Sequence, residues 1–158
     1  VLHSFNTLKY TQEVVLPSLE EGARRAGRSL ADIAVSGGGF VIVGRDREEV
    51  ERKRQAVKEN IAFYASTRTY KPVLDIHGWG EVVEPLHQLS LKGQWSQMAA
   101  LITDEMVDAF ATCGTYDEIA PLLNKRYGGI STSVNLPLAT AAPVDEAMLK
   151  EIVQDLHR

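Results

Sequence analysis

Cysteine is nearly absent: the 158 residues hold one, Cys113. A single thiol forms no intrachain disulfide and no cysteine-rich zinc site, so a reducing compartment suits the chain. Long apolar runs are missing as well. With no run of 18 apolar residues and no basic-then-apolar leader, membrane spanning and secretion have no support, and a cytoplasmic protein is the expectation. Positive charge is not in excess, since 17 Lys and Arg stand among 21 Asp and Glu for a net charge of −4. The scattered cations make no stripe for a nucleic-acid backbone, which argues against DNA or RNA as a partner. Heptads, internal repeats and low-complexity tracts are also lacking. What remains, 44% hydrophobic and 24% charged, is the composition of one globular domain with enough apolar surface for a core.

From Leu8 to Ala26 apolar residues recur at helical spacing, with Gly27 placed to end the helix and Pro17 placed to kink it or to mark where its regular part begins. Ser29–Asp32 reads as a capped turn. Ile33–Val43 is β-branched at both ends and reads as one strand covered on both faces, as in parallel sheets. Its Gly37, Gly38 and Gly39 match no phosphate-loop pattern and fit a bulge or a close backbone approach. Asp46 with Glu49 forms an aspartate variant of the capping box for a long helix to about Ala65. Val50, Val57, Ile61 and Tyr64 form its inner stripe, and Glu48 to Arg52 and Glu49 to Lys53 pair on its wet face.

A structured connection follows to Trp79. Helices are then predicted around Val82–Leu89, from about Gln94, and after a Thr103 cap. Gly114 is placed to stop the last of these, and Thr115–Glu118 to cap the next as a capping box. Ile130–Leu136 alternates like a half-buried strand, and a final helix is predicted from Val144 to about Leu156. Strands separated by helices imply an α/β fold, yet two or three strands are too few for a closed sheet. Either part of the sheet is missing or another chain supplies it. The first residue, Val1, suits the middle of a longer protein.

Few residues announce chemistry. The four histidines show no metal-ligand spacing, and Asp75 with His77 lacks a third ligand, so no metal is expected. No G-x-S-x-G motif marks a serine nucleophile. Cys113 reads as a small packed side chain. Trp79, Trp95, Tyr70 and Tyr64 suit either a core or a pocket for a flat cofactor.

Glu13 to Gly27, Ile61-Ala-Phe-Tyr-Ala-Ser-Thr67 with Tyr70, and Ile102 to Ala111 followed by Gly114-Thr115 come in an order that resembles the C-terminal half of the luciferase-like monooxygenase family, over residues 1 to about 138. Within it the likeness is greatest to oxidoreductases that use the deazaflavin F420. The resemblance implies the C-terminal part of a (β/α)8 TIM barrel, with Val1–His3 ending strand six, Ile33–Val43 as strand seven and Ile130–Leu136 as strand eight. A whole barrel takes about 250 residues, so the chain corresponds to its last third to half. The implied site lies at the C-terminal strand ends: His3, Ser4, Phe5 and Asn6, then Gly44-Arg45, then Leu138 onward, joined by a helix start at Gly114-Thr115 whose N–H groups would meet an anion. His3 is the group expected beside the cofactor ring.

The implied chemistry is hydride transfer between F420 and a small organic substrate, with FMN-dependent monooxygenation as the alternative. No catalytic residue transfers, because the earlier strands carry much of the site. The cofactor is accordingly not expected to bind this chain alone. A homo-oligomer, or the missing N-terminal half of the barrel, is the expected partner. A third reading is a non-catalytic half-barrel that serves as a binding or oligomerisation module.

Overall fold

The computed structural model describes residues 1–136 and 146–157. A helical turn at Leu8–Tyr10, capped by the Thr7 hydroxyl, passes through a π-helical stretch at Thr11–Val15 into α1 (Leu16–Arg25). The irregularity lies just before Pro17, which has no N–H to continue the ladder and whose ring crowds the preceding turn. The Ser18 hydroxyl donates to the Val14 carbonyl at 2.6 Å. Gly27, at φ +67°, closes the helix as the sequence predicts. Arg28 N–H bonds Ala23 O at 2.9 Å and Gly27 N–H bonds Arg24 O at 3.1 Å, the paired bonds of a Schellman ending.

The predicted strand Ile33–Val43 is not one element. Its first half belongs to a short barrel wall: Leu2 N–H donates to Ser36 O at 2.6 Å, and Ser36 bridges Ser133 in parallel. Its second half is β1 (Phe40–Gly44). The glycines make the break. Gly39 takes φ +62° and passes so close to Phe110 that a Cβ there would lie 2.5 Å from its carbonyl oxygen. A Cβ on Gly37 would likewise lie 3.0 Å from the Leu2 side chain. Close backbone approach is therefore the reason for the run.

After β1 comes α2 (Arg47–Ala65), whose first turn is capped by Asp46 accepting Glu49 N–H at 2.8 Å. The box is not reciprocal, because the Glu49 carboxylate turns to the Arg45 N–H instead. The connection predicted for 66–79 holds a helical turn at Lys71–Asp75, and α3 (Val83–Leu91) follows. A short helix at Trp95–Met98 leads to α4 (Asp104–Phe110), capped by Thr103.

Here a second expectation fails. Helix α4 ends at Phe110, and Ala111–Thr115 is β2, paired in parallel with β1 from Phe40↔Ala111 to Gly44↔Thr115. Ala-Thr-Cys-Gly-Thr is too short and too little β-branched to stand out in a helical neighbourhood. Pairing and burial make it a strand. Helix α5 (Ile119–Tyr127) follows. Only half of the predicted box forms: Glu118 accepts Thr115 N–H, but the Thr115 hydroxyl donates to Asp117. The predicted strand Ile130–Leu136 is reduced to the bridge at Ser133, with Thr132 N–H on Val35 O at 2.8 Å. The chain closes with α6 (Glu146–Leu156). The predicted start of that helix at Val144 lies outside the described residues.

The two-stranded sheet is covered on both faces. Ile42 joins a large core with Ile61, Leu74, Leu86, Val107 and Phe110, while Val41 and Val43 pack on a smaller one built on Ile119, Leu123 and Ile152. Each such side chain removed from water stabilises by about 1.5–3 kcal/mol. The inner stripe predicted for α2 holds, with Val50 and Ile61 buried and Val57 and Tyr64 half-buried. Its wet face carries the predicted pairs, Lys53–Glu49 at 2.9 Å and Arg52–Glu48 at 3.9 Å. Among the described residues no helix is long and apolar enough to cross a membrane.

Candidate functional site

Three wall segments, at Leu2, at Val35–Gly37 and at Thr132–Ser133, lie side by side with hydrogen bonds between neighbours. Past their C-terminal ends opens a cleft of about 760 Å³. Its floor is the peptide backbone of Gly37–Gly39 with Ser4 and Asn135. Its roof is one stripe of α2, where Lys53, Val57, Asn60 and Tyr64 follow one another at helical spacing. Lys53 is spent locally, paired with Glu49 and donating to Val43 O at 2.7 Å, while Arg52 stands at the exposed margin, 3.9 Å from Glu48. Hydrogen bonds from Arg45 N–H, Lys53 and the Arg45 side chain hold the Glu49 carboxyl down at about 2. What the cleft offers a guest is apolar wall, one phenol, two carboxamides, a hydroxyl, peptide groups and, at its margin, the Arg52 guanidinium.

The predicted residues divide. Ser4 lines the cleft. His3 is exposed at its side, with its ring stacked on Tyr70 at 5.4 Å and edge-on to Tyr64 at 4.9 Å. Phe5 N–H donates to His3 Nδ1 at 3.0 Å, which leaves Nε2 as the nitrogen carrying hydrogen. Phe5 is taken into the core, 2% exposed, stacked on Phe110 at 4.5 Å. Asn6 donates to the Thr11 hydroxyl at 2.8 Å, and its side-chain oxygen is buried without a partner.

Gly114 and Thr115 do not start a helix. They end β2, a Cβ on Gly114 would meet Leu122 at 2.9 Å, and the Thr115 N–H is already occupied by Glu118 at 3.0 Å. An internal carboxylate thus fills the place predicted for an anion. Leu138 onward falls outside the described residues.

The aromatic residues singled out from sequence also part company. Tyr64 and Tyr70 gather around His3, Trp79 stacks on His77 at 4.4 Å, and Trp95 lies beside Phe63 at the surface. Asp75 pairs with Lys71, whereas His77 meets the Thr7 hydroxyl, so the two are not joined in a site. Among the described residues no three His, Cys, Asp or Glu side chains converge as metal ligands.

The family model for luciferase-like monooxygenases matches residues 1–132. The chain belongs to the luciferase-like monooxygenase family. Among its relatives, an uncharacterized protein of Mycobacterium tuberculosis is 38% identical over 156 residues, covering 99% of this chain and 45% of that one. The 5,10-methylenetetrahydromethanopterin reductase of Archaeoglobus fulgidus is 30% identical over 118 residues, 72% of this chain and 34% of the enzyme. A solved structure, the coenzyme F420 dependent tetrahydromethanopterin reductase from Methanopyrus kandleri, superposes with a TM-score of 0.70 at 25% identity, covering 96% of this chain and 42% of that one. The chain thus spans under half the length of these relatives. Its architecture is that of part of a TIM barrel, with wall segments at 2, 35–37 and 132–133 in place of long strands.

In a luciferase-like barrel the C-terminal strand ends carry the site, which is where the cleft lies. Sequence reading named Tyr64 among the aromatics that suit a core or a flat-cofactor pocket, and it missed Asn60 and Asn135. The available signal was Asn60 sharing a helix face with Val57 and Tyr64: a carboxamide on an apolar stripe.

Proposed function

We propose that this chain is the C-terminal part of an F420-dependent oxidoreductase of luciferase-like type, acting in the cytoplasm, which passes a hydride between the deazaflavin and a small organic substrate. One observation carries the reading: a cleft walled mainly by apolar side chains opens at the C-terminal ends of adjacent barrel-wall segments. Its composition fits a flat heteroaromatic ring, with Tyr64 and Phe40 as wall and Ser4, Asn60 and Asn135 as neutral hydrogen-bonding groups. The deazaflavin, when bound, supplies the two-electron chemistry.

The residues here serve orientation and exclusion of water. Tyr64 and the α2 stripe roof the cleft, the glycine backbone lets a guest approach the wall, and His3 presents an Nε2–H at the rim. No residue of this chain is assigned to the reacting atoms. The cofactor needs the rest of the barrel as well. In isolation the chain covers its open wall edges by self-association.

Titration with F420 and with FMN tests the proposal, on this chain alone and on it joined to the remaining barrel strands. The expected result is F420 binding by the whole barrel and by neither cofactor to the chain alone. FMN binding in preference to F420 would replace the reading with a flavin monooxygenase. Binding of neither by the whole barrel would leave a non-catalytic module. Sedimentation showing a compact, cooperatively folding monomer of the isolated chain would remove the self-association.

A further inference from the structure

The two-stranded sheet has two edges, and the cleft runs along only one. Along the outer edge of β2 lies a second cavity, of about 630 Å³, between the turn that begins at Thr7 and helix α5. Lys9, Lys125 and Arg126 line it. Among the described residues none of the three has a carboxylate within ion-pair distance, whereas most other cations of this acidic chain do. Arg126 is fixed in place by main-chain carbonyl oxygens, those of Asp108 at 2.9 Å, Ala111 at 2.7 Å and Ala109. Carbonyl dipoles steady a guanidinium without cancelling its charge. The acid on the rim, Asp108, is committed to Arg54 at 2.8 Å.

The backbone adds a donor. Gly44 O accepts Tyr116 N–H, so the alternation along β2 turns Thr112 and Gly114 toward β1 and Cys113 outward. On either side of Cys113 the outward groups are taken, Ala111 O by Arg126 and Thr115 N–H by Glu118. The Cys113 peptide is left facing the cavity. Leu8, Ala111 and Leu122 give the lining an apolar part beside the polar Gln12 and Thr112, and Leu122 is 37% exposed although it is a large apolar side chain. His77 closes one side, stacked on Trp79 and bonded to the Thr7 hydroxyl at 2.8 Å.

We infer that this cavity is a second binding site, for a small organic anion whose carboxylate or phosphate meets Lys9, Lys125 and Arg126 and whose apolar body lies on Leu8 and Leu122. It is separate from the cleft and does not depend on the cofactor proposed there.

Phenyl phosphate and benzoate are the probes, titrated into the chain while the Cys113 amide is followed by NMR, with benzyl alcohol as the uncharged control. The expected result is saturable movement of the Cys113 amide with at least one anion. Lys125→Glu, a surface change in α5, weakens binding about tenfold or more, as loss of a charge-assisted bond does. Lys92→Glu, an exposed lysine elsewhere, leaves it within about twofold. The stronger probe tells a phosphate ester from a carboxylate. No saturable shift at Cys113, equal weakening by both variants, or benzyl alcohol binding as well as the anions would each overturn the site.

Discussion

The same strand path serves two sheets, and they differ in what holds them. Around β1 the backbone is paired with β2 over five residues and both faces are buried, one on the core of Ile61 and Phe110 and the other on Ile119 and Leu123. Around Val35–Gly37 the chain has one backbone bond to Leu2 and a short set to Thr132–Ser133, and among the described residues no comparable core lies beneath it. A sheet closed by helices on both faces stands on its own, while a slice of barrel wall depends on strands beyond it. The glycines between them form the joint, pinned on one side by Phe110 and on the other by the Tyr127 hydroxyl, which donates to Gly38 O at 2.5 Å.

Substitutions test this contrast in order of size. Phe110→Ala removes a side chain that is fully buried and stacked on Phe5, and lowers the unfolding free energy by about 3–5 kcal/mol in urea titrations. A loss below about 1 kcal/mol would mean that the sheet core does not carry the stability. Gly39→Ala strikes the joint itself, where positive φ and the Phe110 carbonyl both oppose a Cβ, and costs about 1–3 kcal/mol. Tyr127→Phe frees Gly38 O and costs about 1 kcal/mol. Hydrogen exchange should then quicken at Gly37 but not at Ile42; equal quickening at both would show that wall and sheet open as one unit.

Much of this architecture was legible in the residues. Helix α2 announced its cap, stripe and charge pairs, Gly27 announced a helix end, and the Ile102 to Thr115 segment with its companions pointed to the family. Strand β2 was not legible, because five small or polar residues acquire strand character only when β1 lies beside them. The break at Gly37–Gly39 was visible as an anomaly, but which partners it divides depends on Phe110 and Leu2, distant in sequence. Of the candidate site, Ser4 and the position of His3 were readable from strand-end logic. The Gly114-Thr115 prediction failed because Glu118, three residues on, takes the very N–H it would have offered. Of the cleft's roof, Tyr64 was marked as an aromatic for a core or a pocket, while Asn60 escaped notice since it looks like ordinary helix surface until the wall faces it.

The smallest effect belongs to the sheet side alone. Glu49 is held at about 2 against 4.5 for a free carboxyl, mainly by Arg45 N–H and then by Lys53. A depressed carboxyl stabilises fully above its unfolded value and loses that stabilisation as pH falls from 4.5 toward 2. Glu49→Gln therefore flattens the acid limb of a stability profile between those values, by about 1 kcal/mol or less, since the partner Arg45 is exposed and solvent screens the pair. An unchanged acid limb would place the sensitivity elsewhere.

The chain leaves the wall at Gly37, whose N–H bonds Ser133 O at 3.2 Å, and returns to the neighbouring lane at Thr132. Everything between is, topologically, one long excursion whose two ends meet. Closing such a loop costs free energy that grows only with the logarithm of its length. Additions or deletions in the surface turns of the excursion thus bear lightly on the wall's register, and the exposed face of the roof can be rewritten while the lanes beneath it stay aligned.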